Sequence, residues 1–323
     1  MATELIGVAG MTEELRKYYS KKMLDVAVTD IIYEKFADKT GIPSREGKSV
    51  NWRRFEKITV PEGSYILTEG SYPTSVQGTI TAVSATISQY GQWAQISDVL
   101  ETQAIDPILT QYSERFGEAM ARGRDIIVRA ELSNATTIQY AGIAHQVGTS
   151  GTGSVGSGQY LTAAELLESK RTLRRAGAKP INGFYHVFVH PDNTKDLFED
   201  PDIVDNFQYA GERNSGNPLF TGVLGDWMGL RFIETNNLKT HSSYGMSGAD
   251  TYEVVMFGQG FFGVTELDAL SAKVIVHPRG TGGHADPLDQ KSTVGWKCAM
   301  AAKILNNDFG VLIHTASSYK NAA

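Results

Sequence analysis

The glycine-rich stretch "GTSGTGSVGSGQY" at 148–160 contains a G-x-G-x-x-G spacing, formed by Gly151, Gly153 and Gly156. In dinucleotide-binding folds this spacing lets the backbone approach a pyrophosphate between a strand and the helix that follows it. Here the next helix has its own N-cap at Thr162, six residues beyond the last glycine, and no regular series of βαβ units follows. The motif therefore predicts a flexible connector, and a nucleotide-dependent oxidoreductase is kept as the alternative.

Two groups of residues have side chains that can bind metals. His186 and His190 lie in "YHVFVH", whose β-branched and aromatic content favours a strand, so the two rings share a face but stand ~13 Å apart. That separation is too large for a single ion. The second group matches no known loop template, so a Gly/Pro-rich loop is favoured over a metal site; it comprises His277, His284, Asp286 and Asp289.

Composition excludes several functional classes. The 323 residues carry a net charge of −6, which argues against a globally basic nucleic-acid-binding protein. The single cysteine, Cys298, excludes an intrachain disulfide and Cys-based zinc motifs. No apolar run reaches membrane-span length and no secretory signal is evident, so we expect a soluble protein with no membrane partner. No catalytic, cofactor-binding or metal site is predicted.

The first half of the chain changes from helical to β periodicity. Thr12 to Ala37 has helix-like apolar spacing, whereas Lys48 to Ile96 alternates with a period of two. The arms "SVNWRRF" and "TITAVSATISQYGQW" flank a turn-rich middle, which predicts a long extended hairpin. Because this hairpin carries few large apolar residues, we expect it to lie on a surface provided elsewhere.

The strongest helix signal runs from Asp106 to Asn134, where Asp-Pro supplies an N-cap and a first-turn proline. Apolar residues recur every three or four positions and predict the buried stripe, which consists of Ile105, Leu109, Tyr112, Phe116, Met120, Gly123, Ile127 and Ala130. The opposite face is predicted to contact solvent or another subunit; it carries Glu114, Arg115, Glu118, Arg122 and Arg124.

The second half of the chain mixes helices and strands. Thr162 and Glu165 form a capping box, and Gly177 ends the helix that it opens. Short strands and helices then alternate, and the C-terminal "TVGWKCAMAAKIL" reads as an apolar helix or strand followed by a short strand. The predicted fold class is α+β with an inserted subregion.

This order of elements resembles the HK97-type subunit of tailed-phage capsids, and more specifically the N4-type family of phage major capsid proteins. The resemblance rests on four segments: "YYSKKMLDVA" (18–27), "GKSVNWRRFEKI" (47–58) with "LTEG" (67–70), "SQYGQWAQISDVLETQAIDPIL" (88–109) and "HPRGTGGHADPLDQKSTVGWKCAMAAKILNNDFGVLIHTAS" (277–317).

The resemblance implies a domain organisation and a structural function. It implies an N-terminal arm (1–42), an E-loop (43–92), a P-domain with a long spine helix (93–179 and 291–323) and an A-domain (180–290). A subunit of this kind self-assembles through hexamers and pentamers into an icosahedral shell that encloses double-stranded DNA. Expected partners are further copies, a portal, and scaffolding or decoration proteins, with assembly in the host cytoplasm and residence in the virion. An encapsulin-like compartment shell is the alternative on the same fold.

The predicted subunit interface combines residues of the hairpin with charges of the long helix. An aromatic anchor among arginines is typical of interface hot spots; the alternative is that these charges only solvate an exposed ribbon. The hairpin residues are Trp52, Arg53, Arg54, Phe55, Glu56, Glu62 and Glu69, and the helix residues are Glu114, Arg115, Glu118 and Arg122.

Overall fold

A computed structural model describes most of the chain between residues 32 and 319. The described residues are 32–43, 45, 47–58, 66–67, 69–72, 75–103, 108–142, 147–148, 155–156, 158–209, 225–242, 250–270, 272–281 and 288–319.

The described residues form a mixed α+β fold. The strands are β1 (Asp38–Ile42), β2 (Ser49–Phe55), β3 (Ile80–Thr86), β4 (Ser88–Ser97), β5 (Ile138–Tyr140), β6 (Val147–Gly148), β7 (Tyr185–Val189), β8 (Asp226–Trp227), β9 (Leu230–Glu234), β10 (Thr240–His241), β11 (Thr251–Phe257), β12 (Phe262–Leu267), β13 (Lys273–His277), β14 (Lys291–Ile304) and β15 (Gly310–Thr315). The α-helices are α1 (Asp98–Gln103), α2 (Ile108–Leu132), α3 (Ala163–Ala176), α4 (Pro191–Glu199) and α5 (Pro201–Tyr209), and short 3-10 turns occur at Tyr33–Phe36, Asp268–Leu270 and Asn307–Phe309.

Three sheets organise these strands. The long strand β14 is central to a five-stranded sheet, in which β4 lines one edge while β12 and β13 pair with successive halves of the other edge, and β1 extends β12 in parallel. An eight-stranded sheet has the order β6-β5-β15-β11-β7-β9-β8, with β10 added to β11. The third sheet is the two-stranded ribbon β2–β3. The predicted hairpin is confirmed for β2 and β3, but the end of its second arm was predicted wrongly, because from Ser88 onward the chain forms β4 and pairs with β14. The C-terminal apolar segment, for which helix and strand were both left open, forms strand β14 and is followed by the short strand β15.

Helix α2 covers one face of the five-stranded sheet. The ring of Trp296 on β14 lies against Gly123 of α2, 3.3 Å from the position that a Cβ would occupy. Strand β14 is apolar and largely buried, and its Cys298 thiol is fully buried. Burial raises the pKa of that thiol to about 11, as expected for a cysteine that packs in a core.

The predicted long helix is confirmed over 25 residues, but its buried stripe was predicted wrongly in part. Met120 is buried and Phe116 packs on the core, whereas Tyr112 is exposed. Arg124, which we expected on the outer face, is buried. Arg124 is buried because the turn at Tyr33–Phe36 packs on α2 and covers an additional face of that helix. The predicted start at Asp106–Pro107 lies outside the described residues.

Local signals for helix termini agree with the structure. The Thr162 hydroxyl accepts from the amide of Glu165, and Gly177 ends α3 in a left-handed conformation at φ 78°. The Glu165 carboxylate accepts from Gln139 Nε2 and from the amide of Gly142, which fixes α3 to β5. Asp200 accepts from the amide of Asp202 at the start of α5.

The structure also tests two earlier alternatives. "YHVFVH" forms strand β7, so the strand interpretation of His186 is confirmed, and His190 caps α4 instead of joining it in a site. In the glycine-rich stretch Gly151 and Gly153 lie outside the described residues, but Val155 is buried with Tyr140 and Ala316. The end of the glycine-rich stretch is therefore packed against the protein core.

None of the described helices combines the length and apolarity needed to cross a membrane.

Candidate subunit interface

The β2–β3 ribbon has two chemically different faces. Its antiparallel register pairs Ser49 with Thr86 at the base and Phe55 with Ile80 at the far end. Alternation along β2 directs Trp52 and Arg54 to one face, where they are half-buried, and Arg53 and Phe55 to the other, where they are exposed. Each face can therefore serve a different contact.

The inner face holds the ribbon to its own subunit. Trp52 Nε1 donates to Thr40 Oγ1 at 3.1 Å, and the indole lies 3.2 Å from where a Cβ of Gly263 would be. At the far end, Arg54 donates from NH1 to the carbonyl of Leu305 at 3.1 Å. These contacts connect the ribbon to β1, β12 and the end of β14.

Glu56 completes this inner face. Its Oε1 accepts from Arg54 at 2.9 and 2.7 Å and from the Thr81 hydroxyl at 2.8 Å. These hydrogen bonds, first from Arg54 and then from Thr81, hold the pKa of Glu56 below its usual value. Three of the predicted interface residues, Trp52, Arg54 and Glu56, therefore contact their own chain.

The outer face and the loop beyond it expose large apolar side chains. Phe55 is 76% exposed and Tyr72 fully exposed. The other exposed apolar residues of the ribbon and its loop are Ile58, Ile66, Leu67, Val76 and Ile80. Glu69 is exposed in the same loop, and Glu62 lies outside the described residues. Such a concentration of apolar surface is typical of a protein–protein contact.

The helix charges of the predicted interface lie at the surface of α2. Arg115 donates to Glu118 at 3.2 Å across one helical turn; Arg115 is exposed and Glu118 is partly exposed. Arg122 is exposed and Glu114 is half-buried. An exposed pair of this kind contributes little to the stability of the subunit.

A buried ionic cluster beneath the N-terminal turn was not predicted. Arg124 forms a two-point ion pair with Glu34 and a second ion pair with Glu266. The adjacent Asp125 accepts from the amides of Ile32 and Tyr33, and burial raises its pKa to about 6. A sequence signal existed: Arg124 is four residues from both Met120 and Val128 and so shares their buried face.

The described residues do not assemble a metal site. No group of three or more His, Cys, Asp or Glu side chains within the described ranges could hold a metal ion. Of the candidate loop, His277 and Asp289 are described, whereas His284 and Asp286 are not. His186 is buried among aromatic rings, and burial lowers its pKa.

Comparison with known proteins agrees with a surface that serves contacts between proteins. A family model described as phage capsid protein matches residues 80–313. No curated protein matches the chain.

Solved structures with the same fold include several phage capsids. The capsid of cyanophage Pam1 has a TM-score of 0.68 at 16% identity, with 91% of this chain and 92% of that chain covered. The capsid of Ralstonia phage GP4 has a TM-score of 0.65 at 14% identity, covering 91% and 93%. A virus-like particle from Pyrococcus furiosus has a TM-score of 0.51 at 13% identity, covering 92% and 98%.

The family and the fold are structural rather than enzymatic. Because the family match covers well over half of the chain, the chain belongs to the phage capsid protein family, and its function is that of a major capsid shell protein.

Proposed function

We propose that copies of this chain form hexamers and pentamers that close into an icosahedral shell around a double-stranded DNA phage genome. The observation that carries this proposal is the outer face of the β2–β3 ribbon, where Phe55 and Ile80 are exposed side by side. A lone two-stranded ribbon is marginal in water, so an exposed apolar face on it calls for a neighbouring surface. A neighbouring copy supplies that surface in a closed shell.

The division of the ribbon into two faces supports this assignment. The inner face, with Trp52 and Arg54, fixes the direction in which the ribbon leaves its subunit. The outer face, with Arg53, Phe55 and the Glu69 loop, then contacts the adjacent copy, as do Glu114, Arg115, Glu118 and Arg122 of α2. Repeating this contact around a ring generates a closed assembly.

The finer assignments follow from the sequence resemblance and are part of the proposal. They are an N4-type capsid protein with an N-terminal arm (1–42), E-loop (43–92), P-domain (93–179 and 291–323) and A-domain (180–290). Portal and scaffolding or decoration proteins are the further partners, and the shell is assembled in the host cytoplasm. The net charge of −6 suits a wall that encloses DNA without binding many phosphates.

Shortening the ribbon loop tests the proposal. Purified wild-type protein is expected to form shells in electron micrographs. Replacing 61–78 by a tight turn should leave the circular dichroism of the subunit unchanged and abolish shells in size-exclusion chromatography and micrographs. Shells of normal size and salt resistance from the shortened protein would show that the ribbon does not mediate assembly.

A compartment shell is the second candidate, because a virus-like particle shares the fold over 92% of this chain. Its TM-score of 0.51 is lower than the 0.68 of the Pam1 capsid. The two functions differ in contents. Particles from infected cells should contain nuclease-protected DNA if the chain is a phage capsid protein and a protein cargo if it forms a compartment.

A further inference from the structure

A pocket of about 440 Å³ lies where the N-terminal turn meets strands β7 and β9. The turn contributes Lys35 and Phe36, β7 contributes His186, and β9 contributes Arg231. Asp38, the first residue of β1, also lines the pocket. Segments that are far apart in the sequence therefore build one concave site, which is the usual form of a small-molecule site.

The wall next to β7 is a tight two-residue turn. Ile181 and Phe184 exchange two backbone hydrogen bonds, of 2.9 and 3.1 Å. Between them Asn182 and Gly183 have φ values of 50° and 89°, and Asn-Gly is the favoured sequence for a tight turn with positive φ at both central residues. Ile181 and Asn182 line the pocket, so this wall is held in shape by the backbone of the turn.

His186 is the most deeply buried residue of the pocket lining, with 2% of its surface exposed. Its ring packs on Phe36 and Phe257, with centroids 4.7 and 5.9 Å apart. Burial, followed by the charge of Arg231, lowers the pKa of His186. The ring is therefore uncharged at neutral pH and carries one N–H donor.

The imidazole of His186 has no hydrogen-bond partner among the described residues. Its Nδ1 is buried and unpaired, and no other described side chain or backbone group bonds to the ring. Leaving a buried polar group without a partner is unfavourable. Because Nδ1 is inaccessible, Nε2 is the ring nitrogen that a molecule in the pocket can reach. A hydrogen-bond acceptor in the pocket would satisfy it.

Two cationic side chains stand beside this imidazole. Arg231 donates from Nε and Nη2 to Asp226 at 2.7 and 2.8 Å, and its Cζ lies 4.7 Å from the centroid of the Phe184 ring. These contacts hold the guanidinium and leave Nη1 without an acceptor in the described part of the chain. Lys35 is exposed and pairs with no described carboxylate. Asp38 is the single acidic residue among the described lining residues, so the pocket favours a negatively charged group.

We propose that this pocket binds a small molecule that carries an oxyanion, either a carboxylate or a phosphate group, between Lys35, Arg231 and His186. The apolar part of the molecule lies against Phe36 and Ile181. This inference goes beyond the proposed function and does not depend on assembly into shells. Because the bound molecule would join the N-terminal turn to β7 and β9, it should also stabilise the folded chain.

Calorimetric titration of the purified full-length chain, at constant ionic strength, tests the site. Benzoate is the probe for a carboxylate, phenyl phosphate is the probe for a phosphate, and benzamide is a neutral control of the same shape as benzoate. At least one of the two anions should bind saturably and about tenfold or more tighter than benzamide, because a hydrogen bond to a charged group is worth about that factor. The tighter anion identifies the oxyanion.

Three variants locate the binding. Lys35→Gln removes a cation of the lining and should weaken anion binding by about tenfold. Asp38→Asn removes the one carboxylate and should tighten it by about threefold, a change of opposite sign that general damage to the fold would not produce. Lys39→Gln is the matched control, because Lys39 is an exposed lysine of β1 outside the lining, and its affinity should stay within about twofold of wild type.

Failure of both anions to saturate the protein, or equal affinity for benzoate and benzamide, would overturn the inference. Equal weakening in Lys35→Gln and Lys39→Gln would also overturn it, since binding would then follow net charge alone. Thermal unfolding gives a second measurement that needs no variant. The bound anion should raise the unfolding midpoint and benzamide should not; identical midpoints with anion and benzamide would contradict the site.

Discussion

Arg124 and Glu34 form a buried two-point ion pair in which Nε–Oε1 and NH2–Oε2 are both 2.7 Å apart. The pair joins the N-terminal turn to the long helix α2 where both side chains are almost fully buried. Glu266 of β12 binds the same guanidinium, so one arginine connects three separate segments. The point where the N-terminal segment meets the body of the subunit is therefore fixed by buried charge.

Removing Glu34 should destabilise the subunit strongly. Glu34→Ala removes a carboxylate that pairs with the buried Arg124 guanidinium, and breaking a buried pair from one side typically costs about 3–5 kcal/mol. Urea denaturation of the unassembled subunit should show this loss. The control is Glu118→Ala, whose exposed pair with Arg115 is worth under ~1 kcal/mol. Equal losses in both variants would contradict the buried cluster.

Asp125 should make the stability of the subunit depend on pH. Burial raises its pKa to about 6 in the folded chain, above the ordinary value of about 3.9. The pKa of Asp125 is higher in the folded chain than in the unfolded chain. Asp125 therefore contributes to the stability of the folded subunit below about pH 4, and this contribution is lost as the pH rises to about 6. The loss is on the order of 1–3 kcal/mol.

The Asp125→Asn variant isolates this contribution. Its amide oxygen can still accept from the amides of Ile32 and Tyr33, but the side chain cannot ionise. The difference in unfolding free energy between wild type and variant should change between pH 4 and 6 and be constant above pH 7. A difference that is constant from pH 4 to 7 would show that Asp125 has an ordinary pKa.

The sequence predicted local elements better than it predicted long-range burial. The capping of α3 by Thr162 and Gly177 depends on neighbouring residues, and the structure agrees with it. Helical periodicity within α2 places Arg124 on the buried face of Met120 and Val128, but it cannot reveal the partner Glu34, which is 90 residues away. The two faces of the β2–β3 ribbon likewise cannot be assigned from local sequence alone. Alternation separates Arg53 from Arg54, but the contacts of Arg54 with Leu305 and of Trp52 with Thr40 are needed to show which face is internal.

The glycine-rich stretch should tolerate change at its glycines but not at Val155. Val155 is buried against Tyr140 and Ala316, so Val155→Asp places a charge in an apolar contact and should cost about 3 kcal/mol or more. Gly151→Ser together with Gly153→Ser should leave folding and assembly unchanged, because a Gly/Ser connector needs no side-chain packing. Thermal unfolding of both variants compares them directly. A stable Val155→Asp protein would show that this contact is unimportant.

The two adjacent arginines of β2 should differ in their effect on the ribbon. Arg54 binds the Leu305 carbonyl and Glu56, so Arg54→Ala should release the far end of the ribbon. One such hydrogen bond contributes ~1 kcal/mol net, equivalent to about fivefold in the open population. Limited chymotrypsin digestion of the unassembled subunit at Phe55 should therefore accelerate by about fivefold in Arg54→Ala. The exposed Arg53 lies on the opposite face, and Arg53→Ala should be cleaved at the wild-type rate. Equal acceleration in both variants would mean that the inner face does not hold the ribbon.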